Sequence, residues 1–188
     1  NLEIFKNKVL LITGGTGSFG NAVLNRFANT NSFSEIRIFS RDEKKQDDLR
    51  KKISNNKIKF IIGDVRDKSS VGPAVKGVDY ILLPNIDVNS IDALQKLVKL
   101  DKGCIPMMGL HPCSVDLEYS NQLKRIGFEL FQGDQKYIAV GEIGIDLYWD
   151  KSSLKIQEKA FAAQIKLAKK FNLPIAIHVR ESFNEVFK

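Results

Sequence analysis

The sequence lacks any apolar run of the roughly 20 residues that a membrane-spanning helix needs, which excludes that class of membrane protein. It also lacks a basic and then apolar leader with a small-residue cleavage site, so we expect a cytoplasmic protein without a membrane partner. Cysteine is scarce, because only Cys104 and Cys113 are present and they do not form a Cys-x-x-Cys motif. We therefore expect reduced thiols and no disulfide framework.

The bulk composition is ordinary for a globular protein, with 43% hydrophobic and 27% charged residues. Its 188 residues suffice for one good-sized domain or two small ones. The net charge of +7 suggests nucleic-acid binding at first sight. However, acidic residues alternate with the lysines of segment 41–52, and this pattern favours a solvated helix face. The chain starts at Asn1 without a methionine and stops at Lys188 within a predicted helix, so we expect a piece of a longer product.

Short β-rich runs alternate with longer amphipathic stretches from end to end. The predicted strands are mostly continuous apolar runs, which is typical of strands buried on both faces of a parallel sheet. These strands are 8–13, 35–39, 58–62, 78–83, 104–109, 137–142 and 174–178. The predicted helices lie near 20–30, 43–54, 69–76, 90–100, 117–131, 154–171 and 181–187. The alternation predicts an α/β fold with about seven parallel strands and right-handed crossovers.

A glycine-rich turn, Thr-Gly-Gly-Thr-Gly-Ser-Phe-Gly, directly follows the first predicted strand and opens the first helix. A dinucleotide-binding fingerprint requires this context. The first glycine of the fingerprint suits the tight turn, the second lets the main chain approach a pyrophosphate, and the third lets the helix pack on the strand. The helix N-terminus offers N–H groups to phosphates, so we predict cofactor binding rather than a turn that needs glycine for geometry alone. The cofactor-lining residues predicted here are Gly14, Thr16, Gly17, Ser18, Phe19 and Gly20.

The end of the second predicted strand is the position that meets the adenosine ribose, about 20 residues after the glycines. An acidic residue there favours NAD, whereas this chain has Arg41, which could stack on adenine or bind a 2′-phosphate. This placement favours NADP(H) over NAD, with a merely basic helix start as the alternative. A carboxylate after the third strand could accept from the adenine amino group. The cofactor-binding residues predicted in this region are Ser40, Arg41, Asp42, Lys45, Asp64 and Val65.

Three segments of the first half together resemble a known family: residues 13–20, residues 38–46 with Ile-Phe-Ser-Arg-Asp-Glu-Lys-Lys-Gln, and Gly-Asp-Val-Arg-Asp at 63–67. Residues 5–81 are similar to the extended short-chain dehydrogenase/reductases, and among them to the UDP-N-acetylglucosamine 4,6-dehydratase/5-epimerases of polysaccharide synthesis. The resemblance implies NADP-dependent oxidation at C4, elimination of water and re-reduction at C6 of a nucleotide sugar. The chain lacks the family's Tyr-x-x-x-Lys pair, so no base takes the C4 hydroxyl proton and we expect the dehydratase chemistry to be absent.

The second half places polar residues at the ends of successive predicted strands. The two histidines of the chain, His111 and His178, each close an apolar run, and Glu142 and Asp146 follow another. An α/β barrel builds its site from residues at strand carboxyl ends, so three such positions on one rim predict a functional site. Any one of them alone is equally compatible with a hydrogen-bonded histidine or a helix-capping carboxylate.

Four segments of this half resemble the TatD-type metal-dependent deoxyribonucleases, which are amidohydrolase-like barrels. The segments are Leu-Leu-Pro-Asn-Ile-Asp, Met-Met-Gly-Leu-His-Pro, Val-Gly-Glu-Ile-Gly-Ile-Asp and Leu-Pro-Ile-Ala-Ile-His-Val-Arg, within residues 78–188. The resemblance implies that Glu142 and His178 are ligands of a divalent metal, and that His111, Asp146 and Arg180 line the phosphate side. The family's His-x-His and later ligands are missing, and two protein ligands are fewer than the three of a typical catalytic zinc site. We therefore expect nuclease activity to be absent or vestigial.

Residues 77–81 fit both resemblances, as a fourth Rossmann strand and as an early barrel strand, and form the natural seam between them. The chain is either a joined product of two unrelated genes, which its termini favour, or a deliberate chimera. The predicted fold is a Rossmann-like parallel βαβ half, residues 1–80, continuing into a partial (β/α) barrel, residues 81–188. We predict NADP(H) binding joined to a partial TatD-like hydrolase with neither active site complete. The alternative is a divalent-metal-dependent deoxyribonuclease, with DNA bound only by the second half and oligomers formed through exposed sheet edges.

Overall fold

The computed structural model describes residues 2–187, without the side chains of Leu2, Ile4, Ser18 and Phe19. The chain divides into two compact units, unit 1 (Asn1–Asp79) and unit 2 (Tyr80–Lys188), which are described separately. Both units alternate parallel strands with helices, which confirms the predicted α/β class. Over residues 2–187, no helix combines the length and the apolar character needed to cross a membrane.

Unit 1 is a three-stranded parallel sheet in the order β1-β2-β3, with helices in the connections. After a 3-10 turn at Leu2–Phe5, its elements are β1 (Lys8–Thr13), α1 (Ser18–Phe27), β2 (Phe33–Ser40), α2 (Glu43–Lys52), β3 (Ile58–Ile62) and α3 (Lys68–Val75). Ile38 of the central strand pairs with Ile12 on one side and Phe60 on the other, and its side chain is fully buried. This burial explains why the central strand reads as an apolar run without alternation.

Unit 2 contains two pairs of parallel strands, β4-β5 and β6-β7. Its elements are β4 (Ile81–Pro84), α4 (Ile91–Leu100), β5 (Cys104–Met107), α5 (Tyr119–Gln132), β6 (Val140–Asp146), α6 (Leu154–Phe171), β7 (Ile175–Arg180) and α7 (Phe183–Val186), with 3-10 turns at Val88–Ser90 and Pro112–Ser114. A single bridge between Met108 and Val140 connects the two pairs. The strands of the described chain do not close a barrel, in agreement with the partial barrel that the sequence predicts.

The strand bounds of unit 2 differ from the predicted ones in a way that matters for the site. The predicted strand 137–142 begins three residues later, at Val140, and continues to Asp146. Glu142 therefore lies inside β6, whereas the sequence placed it at a strand end. Likewise β7 ends at Arg180 and not at His178. Apolar runs locate a strand well but not its ends, because polar residues that face the site still pair through their backbone.

Two buried glutamines on α6 hold the strand ends that carry the site. The side chain of Gln164 accepts from the Leu110 N–H at 2.7 Å and donates to the Leu110 carbonyl at 3.1 Å. Gln157 on the same helix does the same for Asp146. Its amide oxygen accepts from the Asp146 N–H at 2.8 Å, and its amide nitrogen donates to the Asp146 carbonyl at 3.0 Å. Because buried backbone groups are costly to leave unpaired, these amides fix the chain just before His111 and at the end of β6.

The first prediction concerns this clamp. Gln164→Leu should lower the free energy of unfolding by about 1–3 kcal/mol, since it leaves both backbone groups of the fully buried Leu110 without partners. Urea unfolding followed by the fluorescence of Trp149, the only tryptophan of the sequence, measures the change. The matched control is Gln132→Leu at the exposed end of α5, expected within about 0.5 kcal/mol of wild type. Equal losses in both variants would contradict the clamp.

Candidate functional site

Three potential metal ligands meet where β5, β6 and β7 present their polar residues. One ligand atom each from His111, Glu142 and His178 lies within 4.8 Å of the others, and all three residues are half-buried. Two ligands on opposite sides of a cation are roughly 4.2 Å apart at the usual distances of about 2.1 Å. The donor set of two imidazoles and a carboxylate therefore fits a divalent cation after small side-chain movements.

Glu142 reaches this cluster because β6 is irregular where it occurs. The pairing of β6 with β7 steps from Gly141–Ala176 to Ile143–Ile177, so Glu142 has no partner residue on β7. An unpaired extra residue of this kind is a β-bulge, and bulges redirect side chains beside functional sites. The bulge places a carboxylate oxygen of Glu142 at 3.9 Å from Nε2 of His111. Residue patterns in the sequence give no signal for it.

His111 is neutral and presents a proton toward the cluster. Burial, together with the neighbouring His178, lowers the pKa of His111 to about 4, against the opposing effect of Asp146. Its Nδ1 accepts a hydrogen bond from the Cys113 N–H at 3.2 Å, so the single ring proton of the neutral form sits on Nε2. An imidazole in this form donates to an anion more readily than it ligates a cation.

His178 is held by a buried carboxylate. The distance from its Nε2 to Oδ2 of Asp146 is 2.9 Å, and Oδ1 of Asp146 accepts from the Tyr148 N–H at 3.0 Å. Burial raises the pKa of Asp146, but the hydrogen bonds from these partners outweigh it and the pKa is lowered. Because an ionised carboxylate only accepts, Nε2 of His178 is the donor in this hydrogen bond.

The side chain of Asp146 is buried against His178. The resemblance placed Asp146 with His111 and Arg180 on the phosphate side, yet its side chain is only 2% exposed and is directed to His178. A second carboxylate facing a phosphate would repel it, whereas a carboxylate behind a histidine orients the ring. Arg180 lies two residues after His178 on β7, so the two side chains share a face of the strand, and its guanidinium stacks on Tyr148.

The glycine turn of unit 1 is tight and packs closely on the start of α1. Gly14 has a φ of 62°, a conformation that other residues rarely adopt, and its carbonyl accepts from the Gly17 N–H at 2.8 Å. A Cβ on Gly20 would lie 2.5 Å from Cα of Gly15, so the helix packs directly on the turn. Gly17 caps α1 and has no side chain to cover the first N–H groups of the helix.

Two other predicted residues of this turn, Ser18 and Phe19, lie outside the residues whose side chains the structure describes. Thr16 is half-buried, and its carbonyl accepts a hydrogen bond from the side chain of Asn21 at 3.1 Å. The same amide of Asn21 donates to the carbonyl of Gly17 at 2.9 Å. Asn21 therefore stabilises the loop from the first turn of α1, a role that the glycine pattern does not reveal.

The residues at the end of β2 and the start of α2 make more hydrogen bonds and ion pairs within the chain than the sequence suggests. Ser40 is buried and its hydroxyl accepts from Nε2 of Gln46 at 3.1 Å, so its role is structural. Asp42 caps α2 by accepting from the Lys45 N–H at 2.9 Å, and its carboxylate pairs with the Lys45 ammonium at 3.2 Å. Arg41 remains 69% exposed, which leaves its guanidinium accessible to a ligand.

Asp64 is predicted to accept from the adenine amino group, but its carboxylate already accepts hydrogen bonds from Arg66. Its carboxylate accepts from the side chain and the backbone N–H of Arg66 and lies 3.6 Å from the guanidinium of Arg41. The hydrogen bonds from Arg66 hold the pKa of Asp64 well below its usual value. Val65 is exposed beside it. An adenine would therefore have to displace an exposed ion pair to use this carboxylate.

Comparisons with known proteins match two overlapping parts of the chain. The sequence profile described as TatD related DNase matches residues 39–188. The crystal structure of YJJV, a TatD homologue from Escherichia coli K12, superimposes with a TM-score of 0.56 and 28% identity, over 60% of this chain and 44% of that one. Proteins named UDP-glucose 4-epimerase from Rickettsia akari and Rickettsia bellii are 60% and 62% identical over 81 residues.

The epimerase match is strong but partial. Those 81 residues are 42% of this chain and 24% of each relative, so the chain spans about a quarter of their length. The comparisons thus support both resemblances at the level of the family. They name an epimerase rather than the 4,6-dehydratase/5-epimerase branch expected from the sequence, and the branch remains a hypothesis.

The second prediction follows from the lowered pKa of His111. Because its pKa is about 4 in the folded chain and 6.5 ordinarily, the unfolded chain binds the proton first as the pH falls. Stability from the neutral ring is complete above pH 6.5 and is lost toward pH 4, by roughly 3 kcal/mol at most. The free energy of unfolding, measured by urea denaturation in EDTA, should depend steeply on pH across this range in wild type. The dependence on pH should be shallower in His111→Asn. The asparagine retains an acceptor for the Cys113 N–H, and an unchanged slope would refute the assignment.

Proposed function

Because the chain belongs to the TatD related DNase family, we propose that residues 81–188 bind a divalent cation through Glu142 and His178. The convergence of three donor atoms within 4.8 Å carries this proposal. A bound cation would polarise a phosphoryl oxygen and lower the pKa of a water molecule. His111, with its Nε2 proton directed at the cluster, donates to an oxygen of the anionic ligand, and Arg180 supplies positive charge to the phosphate.

The orientation of His178 is set before a cation arrives. Asp146 accepts from its Nε2 at 2.9 Å and thereby fixes the orientation of the ring. A carboxylate in this position also makes the ring a stronger donor to a cation. Glu142 supplies the negative charge that a divalent cation requires, from a bulge that frees its side chain from the strand ladder.

Hydrolysis is nevertheless weak or absent in this proposal. Of the three clustered residues, His111 is the least suited to ligate a cation, because its Nδ1 already accepts from the Cys113 N–H and its Nε2 carries the proton of the neutral ring. Typical catalytic zinc sites have about three protein ligands and one open position. We therefore propose a cation-binding module of hydrolase descent, with DNA as the polymer that the family description names.

A second function is favoured by the glycine turn of unit 1. We propose that residues 1–80 bind NADP(H), with the pyrophosphate at the start of α1 and the 2′-phosphate at Arg41. The positive φ of Gly14 and the close packing of Gly20 on Gly15 support this proposal. Lys45 adds a second positive charge near Arg41 once a phosphate replaces Asp42 as the partner of its ammonium group. A sugar-nucleotide reaction is not part of the proposal, because the Tyr-x-x-x-Lys pair is missing from the sequence.

The third prediction tests the cation site by calorimetric titration with Mn²⁺. Glu142→Gln and His178→Asn should weaken binding at least about tenfold, and Asp146→Asn about 10- to 100-fold through the orientation of His178. The matched control is Glu158→Gln, which removes an exposed carboxylate of α6 and should leave the affinity unchanged. Equal affinities of wild type and Glu142→Gln would overturn the site.

Cleavage of a labelled DNA in Mn²⁺ separates cation binding from catalysis. We expect no rate above that of Glu142→Gln. Turnover by wild type that disappears in Glu142→Gln would establish the site and refute its incompleteness. Turnover that survives in Glu142→Gln would assign the cleavage to a contaminant or to another site.

The fourth prediction tests the cofactor turn by the fluorescence of NADPH and NADH. Arg41→Ala should weaken NADPH binding about tenfold or more, because a hydrogen bond between a cation and a phosphate is lost. NADH binding should not change. The matched control is Lys51→Ala, which removes an exposed cation at the far end of α2 that pairs with Asp47. Equal effects on both coenzymes would exclude the 2′-phosphate as the group that Arg41 binds, and no binding by wild type would exclude the site.

A further inference from the structure

The strand β7 has one unpaired edge. Among the described residues it pairs only with β6, and the carbonyls of Pro174 and Arg180 accept from N–H groups at the start of β6 and just past its end. Backbone groups alternate in direction along a strand, so those of Ile175, Ile177 and Val179 are directed to the other edge. Such an edge offers its N–H and C=O groups to a further strand.

The side chains of the same three residues form an apolar face that is incompletely covered. Ile175, Ile177 and Val179 are 37%, 38% and 37% exposed, and they share a face because successive side chains of a strand alternate. His178 lies on the opposite face, where it joins the cation cluster. A strand added at this edge would therefore gain apolar contacts on one face without displacing the cluster on the other.

Two other outer strands carry features that protect a sheet edge. On β3, the exposed Lys59 lies within a strand of five residues. On β4, the strand has four residues and ends in Pro84, which has no N–H to donate. Lysine, proline and short length are common means of preventing association through an edge. The six residues of β7 include neither lysine nor proline, so this edge lacks that protection.

The alternation of backbone groups also fixes how two copies of this edge pair. In an antiparallel ladder, a residue whose backbone groups are directed outward must face another such residue, and the two exchange two hydrogen bonds. A pairing centred on Ile177 sets this residue opposite itself and sets Ile175 opposite Val179. Every facing pair is then apolar, so the edge is complementary to itself. A shift by two residues would lose one of the pairs.

The charges on the two sides of β7 favour the same antiparallel arrangement. Lys169 and Lys170 precede the strand at the end of α6, whereas Glu181 and Glu185 follow it. Within residues 2–187, none of these four side chains makes an ion pair. Arg180 lies on the other face of the strand, with the cluster. Antiparallel copies bring the lysines of one toward the glutamates of the other, whereas parallel copies would bring like charges together.

We propose that the chain forms a two-fold symmetric dimer, in which the β7 strands of two copies pair antiparallel and join two β6-β7 sheets into one sheet of four strands. The interface consists of three facing pairs, so its affinity is micromolar, with a Kd of about 1–100 µM. Because the pairing uses up the free edge of both copies, association through it stops at the dimer. No residue of the cation cluster takes part, so the dimer is independent of the proposed function.

The fifth prediction tests the dimer by sedimentation equilibrium of the full chain in EDTA, so that cation binding does not enter the measurement. The mass of the wild type should rise from one copy to two as the concentration passes through the micromolar range, and then stay constant. Ile177→Lys should weaken the dimer at least about tenfold, because it sets two like charges opposite each other on the two-fold axis. The matched control is Leu100→Lys, which adds the same charge at an apolar residue of α4 that is 84% exposed, and should match wild type.

Disulfide formation under mild oxidation tests the register, in a chain that carries Cys104→Ser and Cys113→Ser. Ile177→Cys should form a covalent dimer, because residues that face each other in a hydrogen-bonded pair have Cα atoms about 5.5 Å apart, which a disulfide spans. Ile175→Cys and Val179→Cys should each remain uncrosslinked alone. A mixture of these two variants should crosslink, because each faces the other across the interface.

The outcomes decide the proposal in either direction. A wild type that is still monomeric at about 100 µM, a mass that grows beyond two copies, or an undiminished dimer in Ile177→Lys would each overturn it. Crosslinking of Ile175→Cys alone would overturn it as well, because that contact requires another register. A dimer that is lost in Ile177→Lys and kept in Leu100→Lys would support it. The sedimentation of wild type and the crosslinking need no charged variant, so an Ile177→Lys protein that fails to fold leaves the test decisive.

Discussion

The buried carboxylate of Asp146 is the interaction on which the described site of unit 2 depends. An ionised carboxylate that is withdrawn from water costs several kcal/mol unless hydrogen bonds replace the lost hydration. Here His178 and the Tyr148 N–H replace it, and Gln157 holds the backbone of the same residue. One side chain thus holds both the ring of His178 and the backbone at Tyr148, just after the end of β6.

Much of this arrangement could be predicted from the sequence, because parallel strands present their carboxyl ends on one rim. That rule was sufficient to bring His111, Glu142 and His178 together. The rule could not give the bulge at Glu142 or the direction of Asp146, whose partner His178 is 32 residues away in the chain. Apolar periodicity reports which faces are buried, whereas these features depend on individual hydrogen bonds. The glutamines of α6 were missed for the same reason, although polar residues within an apolar stripe are a usable signal.

In unit 1 the sequence predicted backbone geometry better than side-chain contacts. The fingerprint assigned the tight turn to Gly14 and the close helix packing to Gly20, and the φ angle and the Gly15 contact agree with both roles. It did not predict the ion pair between Arg66 and Asp64 or the ion pair between Lys45 and Asp42. Glycine positions are fixed by steric exclusion, while surface ion pairs depend on rotamers that the sequence does not specify. Exposed pairs contribute only about 0–1 kcal/mol, so exchanging them for contacts with the proposed coenzyme would cost little.

The proposal that unit 2 binds a cation without efficient catalysis has a physical rationale. Local hydrogen bonds are sufficient to hold the clustered side chains at the ends of three strands, and the described residues make these bonds. Apolar strand residues of unit 2 are incompletely covered: Leu82 on β4 is 59% exposed, and Ile175, Ile177 and Val179 on one face of β7 are each more than one third exposed. Strand faces of this kind are stable when another layer covers them, at roughly 25 cal/mol for each Å² of apolar area removed from water. Water that reaches a site weakens its electrostatic contacts, and transition-state stabilisation suffers more from this than ligand binding does, which is the physical basis for proposing cation binding without efficient hydrolysis.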